Sequence, residues 1–346
     1  MTRHPTHTHK IGWGCLIILV SWLLAPAQGL CDNPVDRVER LETGFYYTIQ
    51  KGDTLWDLSQ HFFDSPWVWP DLWGKNQDLS NPHWIYPGDQ IRLYRRAGAE
   101  ELADTSLVQP VTPAETKGKT LKASTFYFYP AIDTVGFVRK EPVKPSGTLF
   151  SVKEDKFMIS TADLVYVRSA ETTQFQPGDR FTVYRTQTMR DEKAEGDFGI
   201  QHYLVGLLEI VDVQPAFSVA EIVESYRHIE VGDRLIPYVP REKKIALTDK
   251  TPGLEGMVVA GEENQVLFAN QTIVFINKGQ QDGVRKGQTY QVYYRQQAKP
   301  DPDSDETILL SPVDFAEILI LHTEPTTATA VVTIAEKAIE PGTKFH

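Results

Sequence analysis

Apolar residues change their spacing several times along the chain, and each change predicts a different kind of element. Ile11–Ala25, IGWGCLIILVSWLLA, is a continuous apolar run. Tyr46–Ile49 is short, aromatic and β-branched, which predicts a strand. Gly52-Asp53 turns the chain, and Leu55, Leu58, Phe62 and Phe63 then recur at helical spacing. Thr54 with Asp57 three residues on is a capping-box-like start. Asp64-Ser65-Pro66 interrupts that helix, and a second short one is expected from Pro70 to Asn76, with Pro in its first turn and Asp71 beside it. Leu79–Pro87 reads as a loop, Pro87-Gly88-Asp89 as a turn, and Gln90–Tyr94 alternates as a closing strand. The sum is strand, helix, helix, strand.

Ala97–Leu121 lacks aromatic residues and is rich in Ala, Thr, Glu and Pro, the composition of a linker. The preceding module is therefore expected to be tethered to the remainder, not packed against it. Beyond it the pattern is strand after strand, among them FYFYPAI, GTLFSV, LVYV, RFTVYR and LVGLLEIVDV. Sliding the chain by 109 residues aligns 145–185 with 254–294 without a gap: Gly147 meets Gly256, Val165 meets Val274, Gly178 meets Gly287, and Val183-Tyr184 meets Val292-Tyr293. After a length change, Glu209-Ile210 meets Glu317-Ile318 and Ile229 meets Ile339. Each copy has about six short strands, and a small closed or partly closed barrel removes the edges that a lone sheet would expose. The expected architecture is multidomain: a leader at 1–27, an α+β module at 45–95, a linker at 96–121, a first β unit with added N-terminal strands at 122–237, and a second at 254–346 that repeats 146–237. Fold class is α+β (a βααβ module) followed by two mostly-β small barrels.

Composition narrows the function. The chain has 346 residues and is 41% hydrophobic, so it can bury several cores. Arg3 and Lys10 before the apolar run, and small residues after it, give the layout of a secretory signal peptide. That run is shorter than the roughly 20 residues a membrane helix needs, so no transmembrane span is expected after cleavage near Ala27 or Gly29. The expected location is the periplasm or cell envelope. Cys15 leaves with the leader, and the remaining Cys31 cannot form an internal disulfide. Gln28-Gly29-Leu30 fits poorly before a lipidated cysteine, so an unused thiol is preferred over a lipoprotein anchor. Loss of Arg3 and Lys10 takes the net charge from −11 to −13. No basic patch is evident, which disfavours nucleic acid and anionic lipid and leaves an uncharged or zwitterionic polymer as a partner.

The pattern YTIQKGDTLWDL, then WPDLWGKN, then NPHWIYPGDQIRL resembles a lysin motif (LysM) domain, with anchors at Gly52-Asp53-Thr54-Leu55-Trp56, Asn76 and Ile85-Tyr86-Pro87-Gly88. The departure from the family is the insert Asp64–Trp69. The resemblance implies binding of N-acetylglucosamine polymers, peptidoglycan or chitin, in a groove between two loops. On this chain the implied glycan-binding residues are Gly52, Asp53, Thr54 and Leu55 on one loop and Pro82, Trp84, Ile85, Tyr86 and Pro87 on the other. Core roles are the competing reading for Leu55 and Ile85, and turn and helix-cap roles for Asp53 and Thr54. Trp73 is expected in the core, and Trp84 is the preferred indole contact.

Tests for catalysis mostly fail. His61, His83, His202, His228, His322 and His346 are scattered with no metal-ligand spacing. Cys31 sits outside any expected fold, and no G-x-S-x-G elbow occurs. No catalytic residue, metal or cofactor is assigned. The expected protein is a non-enzymatic peptidoglycan-binding envelope protein, with an envelope protein as a partner for the β units. The alternatives are a hydrolase targeted by the same module and a protein-interaction module without glycan affinity.

Overall fold

The computed structural model describes residues 41–94, 125–156, 158–171, 173–190, 197–262, 265–300 and 307–346. The expected leader, Cys31 and the expected linker lie outside them. No helix among the described residues is long and apolar enough to cross a membrane.

The Trp-rich module runs β1 (Gly44–Thr48), α1 (Leu55–Phe63), α2 (Trp69–Gly74) and β2 (Gln90–Leu93), with β1 antiparallel to β2. Thr54 caps α1 as its spacing with Asp57 predicts: Oγ1 accepts from the Asp57 amide at 3.1 Å and donates to Oδ2 of Asp57 at 2.7 Å. Tyr47, Ile49, Leu55, Leu58, Leu72 and Ile91 form the module's core.

The expectation of a tethered module is overturned. The next strand, β3 (Thr125–Phe128), pairs antiparallel with β1, Phe45 opposite Tyr127, and joins this module's sheet instead of the barrel that follows it. Strand β4 (Phe137–Arg139) comes next in the chain. An isolated two-stranded ladder is marginal in water and leaves unpaired amides on both edges, so β1 gains a neighbour it needs. The module's core also continues into Ile273, Leu319, Leu321 and Val331, all buried, from the second β unit. Burial of each such side chain is worth about 1.5–3 kcal/mol. Linker composition does not report where the segments on either side of it dock.

The first β unit comprises β5 (Gly147–Val152), β6 (Leu164–Ser169), β7 (Arg180–Arg190), β8 (Asp197–Val213), β9 (Ser218–Ser225) and β10 (Arg234–Pro237). Their order β8-β7-β10-β5-β6-β9 closes through a β8–β9 pairing, and β4 adds to the outer edge of β8. After β11 (Lys244–Ala246), which pairs with β3, the second unit comprises β12 (Gly256–Gly261), β13 (Ile273–Ile276), β14 (Thr289–Ala298), β15 (Ile308–Thr323), β16 (Ala328–Ala335) and β17 (Lys344–Phe345). It is a closed barrel in the order β12-β13-β16-β15-β14-β17. Advancing every strand of the first ring by seven reproduces the second. Matching positions carry the two cores: Val165 and Val274, Val183 and Val292, Ile210 and Ile318, Ile229 and Ile339 are all at most 1% exposed.

A polar seam joins the barrels. Thr327, just before β16, and Thr329 within it donate to the carbonyls of Val138 and Gly136 at 2.6 and 2.9 Å. Glu262 accepts from Arg227 at 2.7 Å and from the Gly136 amide at 3.0 Å. Arg139 donates to Glu324 at 2.6 Å.

His202 lies fully buried beside this seam, stacked on Phe137 with ring centroids 4.6 Å apart. Its Nδ1 donates to the Ile200 carbonyl and its Nε2 accepts from the Val143 amide, each at 3.0 Å, so the ring is held neutral. Burial, with the nearby Arg139 charge adding to it, pushes its pKa below the usual histidine value, against the smaller opposing effects of the bond to the Ile200 carbonyl and of Glu324. Below about pH 6.5 the unfolded chain therefore takes up a proton that the folded chain refuses, and stability falls with pH by at most about 1.4 kcal/mol per unit. We expect thermal midpoints to drop between pH 7.5 and 5.5, and a His202→Gln variant, less stable at pH 7.5, to show a shallower slope. Parallel slopes would show that His202 does not titrate this way.

Candidate functional site

One turn recurs in the Trp-rich module and the first β unit and explains how the candidate loops are held. Gln50–Asp53, Tyr86–Asp89, Gln176–Asp179 and Glu230–Asp233 each place a left-handed Gly third, with φ of 90°, 98°, 92° and 103°. In each the Asp side chain accepts from the first residue's amide, at 2.6, 3.1, 2.8 and 2.8 Å. Gly is needed at that position because a Cβ disfavours the left-handed region.

Two of these turns flank the candidate loops. They are tied through Ile49, whose amide donates to the Asp89 carbonyl at 2.8 Å and whose carbonyl accepts from Gly88 at 2.9 Å. The Gly52–Leu55 loop leads from the first turn into α1, and the Leu79–Pro87 loop leads into the second. Asn76 anchors the latter: it exchanges bonds with Arg92, accepting from its amide at 2.7 Å and donating to its carbonyl at 3.1 Å. Trp73 Nε1 donates to the Leu79 carbonyl at 2.7 Å, so this half-buried indole packs on the core and pins the loop, as expected of it.

The candidate residues divide by what their side chains do. Leu55 is buried and Ile85 packs on the core, which leaves chiefly their backbones to face the groove. Asp53 Oδ2 accepts from the Tyr47 hydroxyl at 2.7 Å as well as from Gln50, a turn role shared with its three counterparts. Thr54 is exposed but serves as the helix cap. Gly52, Trp84, Tyr86 and Pro87 are exposed, Trp84 at 67% and Tyr86 at 63%, while Pro82 is half-buried. Apolar ring surface flanked by backbone amides and little net charge suits a neutral, amide-bearing sugar better than an ion.

Asp53→Ala removes the acceptor for two donors, and we expect it to lower stability by about 1–3 kcal/mol. Asn retains an acceptor oxygen, so Asp53→Asn restores most of that loss. Equal urea midpoints for wild type and Asp53→Ala would contradict the turn role.

Two exposed rings fell outside the expected site. Trp56, one residue beyond Leu55, is 42% exposed and meets Trp67 of the insert edge to face at 4.8 Å, with Trp67 itself 75% exposed. Proline beside Trp67 was the available sequence signal; nothing linear placed it against Trp56.

Away from this module, a cavity of about 620 Å³ borders the seam between the barrels, walled by Phe137, Leu204 and Ile236 and crossed by the Arg139–Glu324 pair. Burial would raise the Glu324 carboxyl, but His322 and Arg139 outweigh it and hold its pKa low. Among the described residues no group of three or more His, Cys, Asp or Glu side chains converges as a metal site.

Residues 47–93 match the family model of the LysM domain. The chain is also 35% identical over 57 residues to the uncharacterised protein YqbP of Bacillus subtilis (strain 168), a stretch covering 14% of this chain and 26% of that one. The chain thus spans about a quarter of the length of this relative. LysM domains as a class bind peptidoglycan and other N-acetylglucosamine-containing glycans.

Proposed function

We propose that the protein binds peptidoglycan, without cleaving it, in the groove between Gly52–Leu55 and Pro82–Pro87, and that this holds the paired barrels at the wall in the periplasm or cell envelope. The single observation that carries the reading is the LysM match at 47–93, whose two motif loops are tied together through Ile49 beneath exposed Trp84 and Tyr86. Backbone amides of the loops address the acetamido group, and the Trp84 and Tyr86 rings cover the sugar's apolar face, because aromatic rings offer large, rigid apolar area with a negative π face. The barrels serve as the scaffold that the wall-bound module presents, and an envelope protein is the partner proposed for them.

Incubation of the purified protein with isolated wall sacculi tests both halves of the proposal. The expected result is protein in the pellet and no soluble muropeptide in the supernatant. Released muropeptides would overturn the non-enzymatic reading, and protein left in the supernatant would overturn binding.

A further inference from the structure

The Trp67 insert is built, not slack. Asp64 ends α1 in the left-handed region at φ 54°, and Pro66 opens a single 3-10 turn, Pro66–Val68, that brings the chain back along α1. Its neighbours Trp69 and Trp73 pack on the module's core. Trp67 does not, and it instead meets Trp56, with interplanar angle 76° and most of its ring surface open to solvent. Two large apolar side chains left exposed and in mutual contact are informative, since a core would have claimed them and scattered surface residues would not touch.

Their position identifies what they would meet. Trp56 stands in the first turn of α1, two residues from Thr54, so along the chain it follows directly on the Gly52–Leu55 loop. Trp84 and Tyr86 belong to the other loop. Exposed rings therefore stand on one candidate loop and just after the other, and from Trp56 they continue by direct contact onto the insert. A second ring platform of this kind favours the face of a further pyranose, whose C–H groups meet the negative π surface of an indole held rigid by an edge-to-face partner.

We propose that Trp56 and Trp67 form an additional sugar-stacking shelf, so that this protein engages a longer run of an N-acetylglucosamine polymer than the two loops alone would hold. The proposal rests on the glycan-binding reading above. It predicts selectivity for chain length, with the insert supplying the gain.

Calorimetric titration of the full protein with the N-acetylglucosamine trimer and hexamer tests it. Wild type is expected to bind both, the hexamer more tightly. Trp67→Ala should weaken the hexamer at least fivefold and leave the trimer within twofold, with an unchanged melting temperature because the side chain supports no core; Trp67→Phe should recover part of the loss. Hexamer affinity unaltered by Trp67→Ala, or an equal loss for both oligomers, would overturn the shelf while leaving the groove in place. No binding of either oligomer by wild type would overturn the groove reading and the shelf together.

Discussion

Gly287→Ala is expected to destabilise the protein by about 2–5 kcal/mol, whereas Gly178→Ala, at the matching position of the first barrel, costs only about 1–2 kcal/mol. Both glycines hold a left-handed backbone, with φ of 89° and 92°, so both substitutions carry the conformational penalty of an L residue there. Their surroundings differ. A Cβ at Gly178 would meet nothing within 4 Å, while one at Gly287 would lie 2.0 Å from the carbonyl oxygen of Ala246 in β11. That second term is a steric one of about 1–3 kcal/mol. Gly287 also accepts from the Thr248 amide at 3.0 Å and donates to the Ile320 carbonyl at 2.9 Å, so relief of the clash disturbs the junction between the LysM sheet and the second barrel. Urea midpoints for the two variants check the difference. Equal losses would mean that the LysM sheet is not seated on that barrel as described.

Trp84→Ala is expected to weaken sedimentation with wall sacculi at least tenfold, equivalent to about 1.4 kcal/mol or more, while leaving the melting temperature unchanged. The indole is 67% exposed, and the bond that fixes its backbone, from its amide to the Asn81 carbonyl at 3.1 Å, survives the substitution. Thr54→Ser keeps the hydroxyl that caps α1 and is expected to bind as wild type; Thr54→Ala loses that cap and about 1 kcal/mol of stability. Leu55→Ala is the wrong probe for the groove, because it empties a core position. Full sedimentation of a folded Trp84→Ala protein would remove Trp84 from the contact surface.

Much of this was legible in the sequence. Apolar spacing marked α1 and its cap at Thr54, the two Gly-Asp turns located the loop ends, and the 109-residue offset paired positions that prove to be equivalent core sites in two rings of identical strand order. Side-chain burial followed the simpler reading at Leu55, Ile85 and Trp73, where an apolar residue at helical spacing or beside a core strand went inward. What failed was long-range assignment. Periodicity tells which face of β1 is apolar, but not that Thr125–Phe128 would cover its edge or that Leu319 and Leu321 would extend its core. The Trp56–Trp67 contact escaped for the same reason: it depends on a single turn at Pro66, whose direction no linear pattern encodes. His202 looked like a scattered histidine, and only the packing of Phe137 and the amide of Val143 show why it is held neutral.

The central claim is that the two LysM loops meet the glycan. The most direct measurement is an amide and indole NMR titration of the protein with the N-acetylglucosamine hexamer. The account predicts saturable shifts for the amides of residues 52–55 and 83–88 and for the Trp84 indole, while the Trp73 indole, already bonded to the Leu79 carbonyl, stays in place. Absence of shifts in both loops, or shifts confined to the barrels, would contradict it.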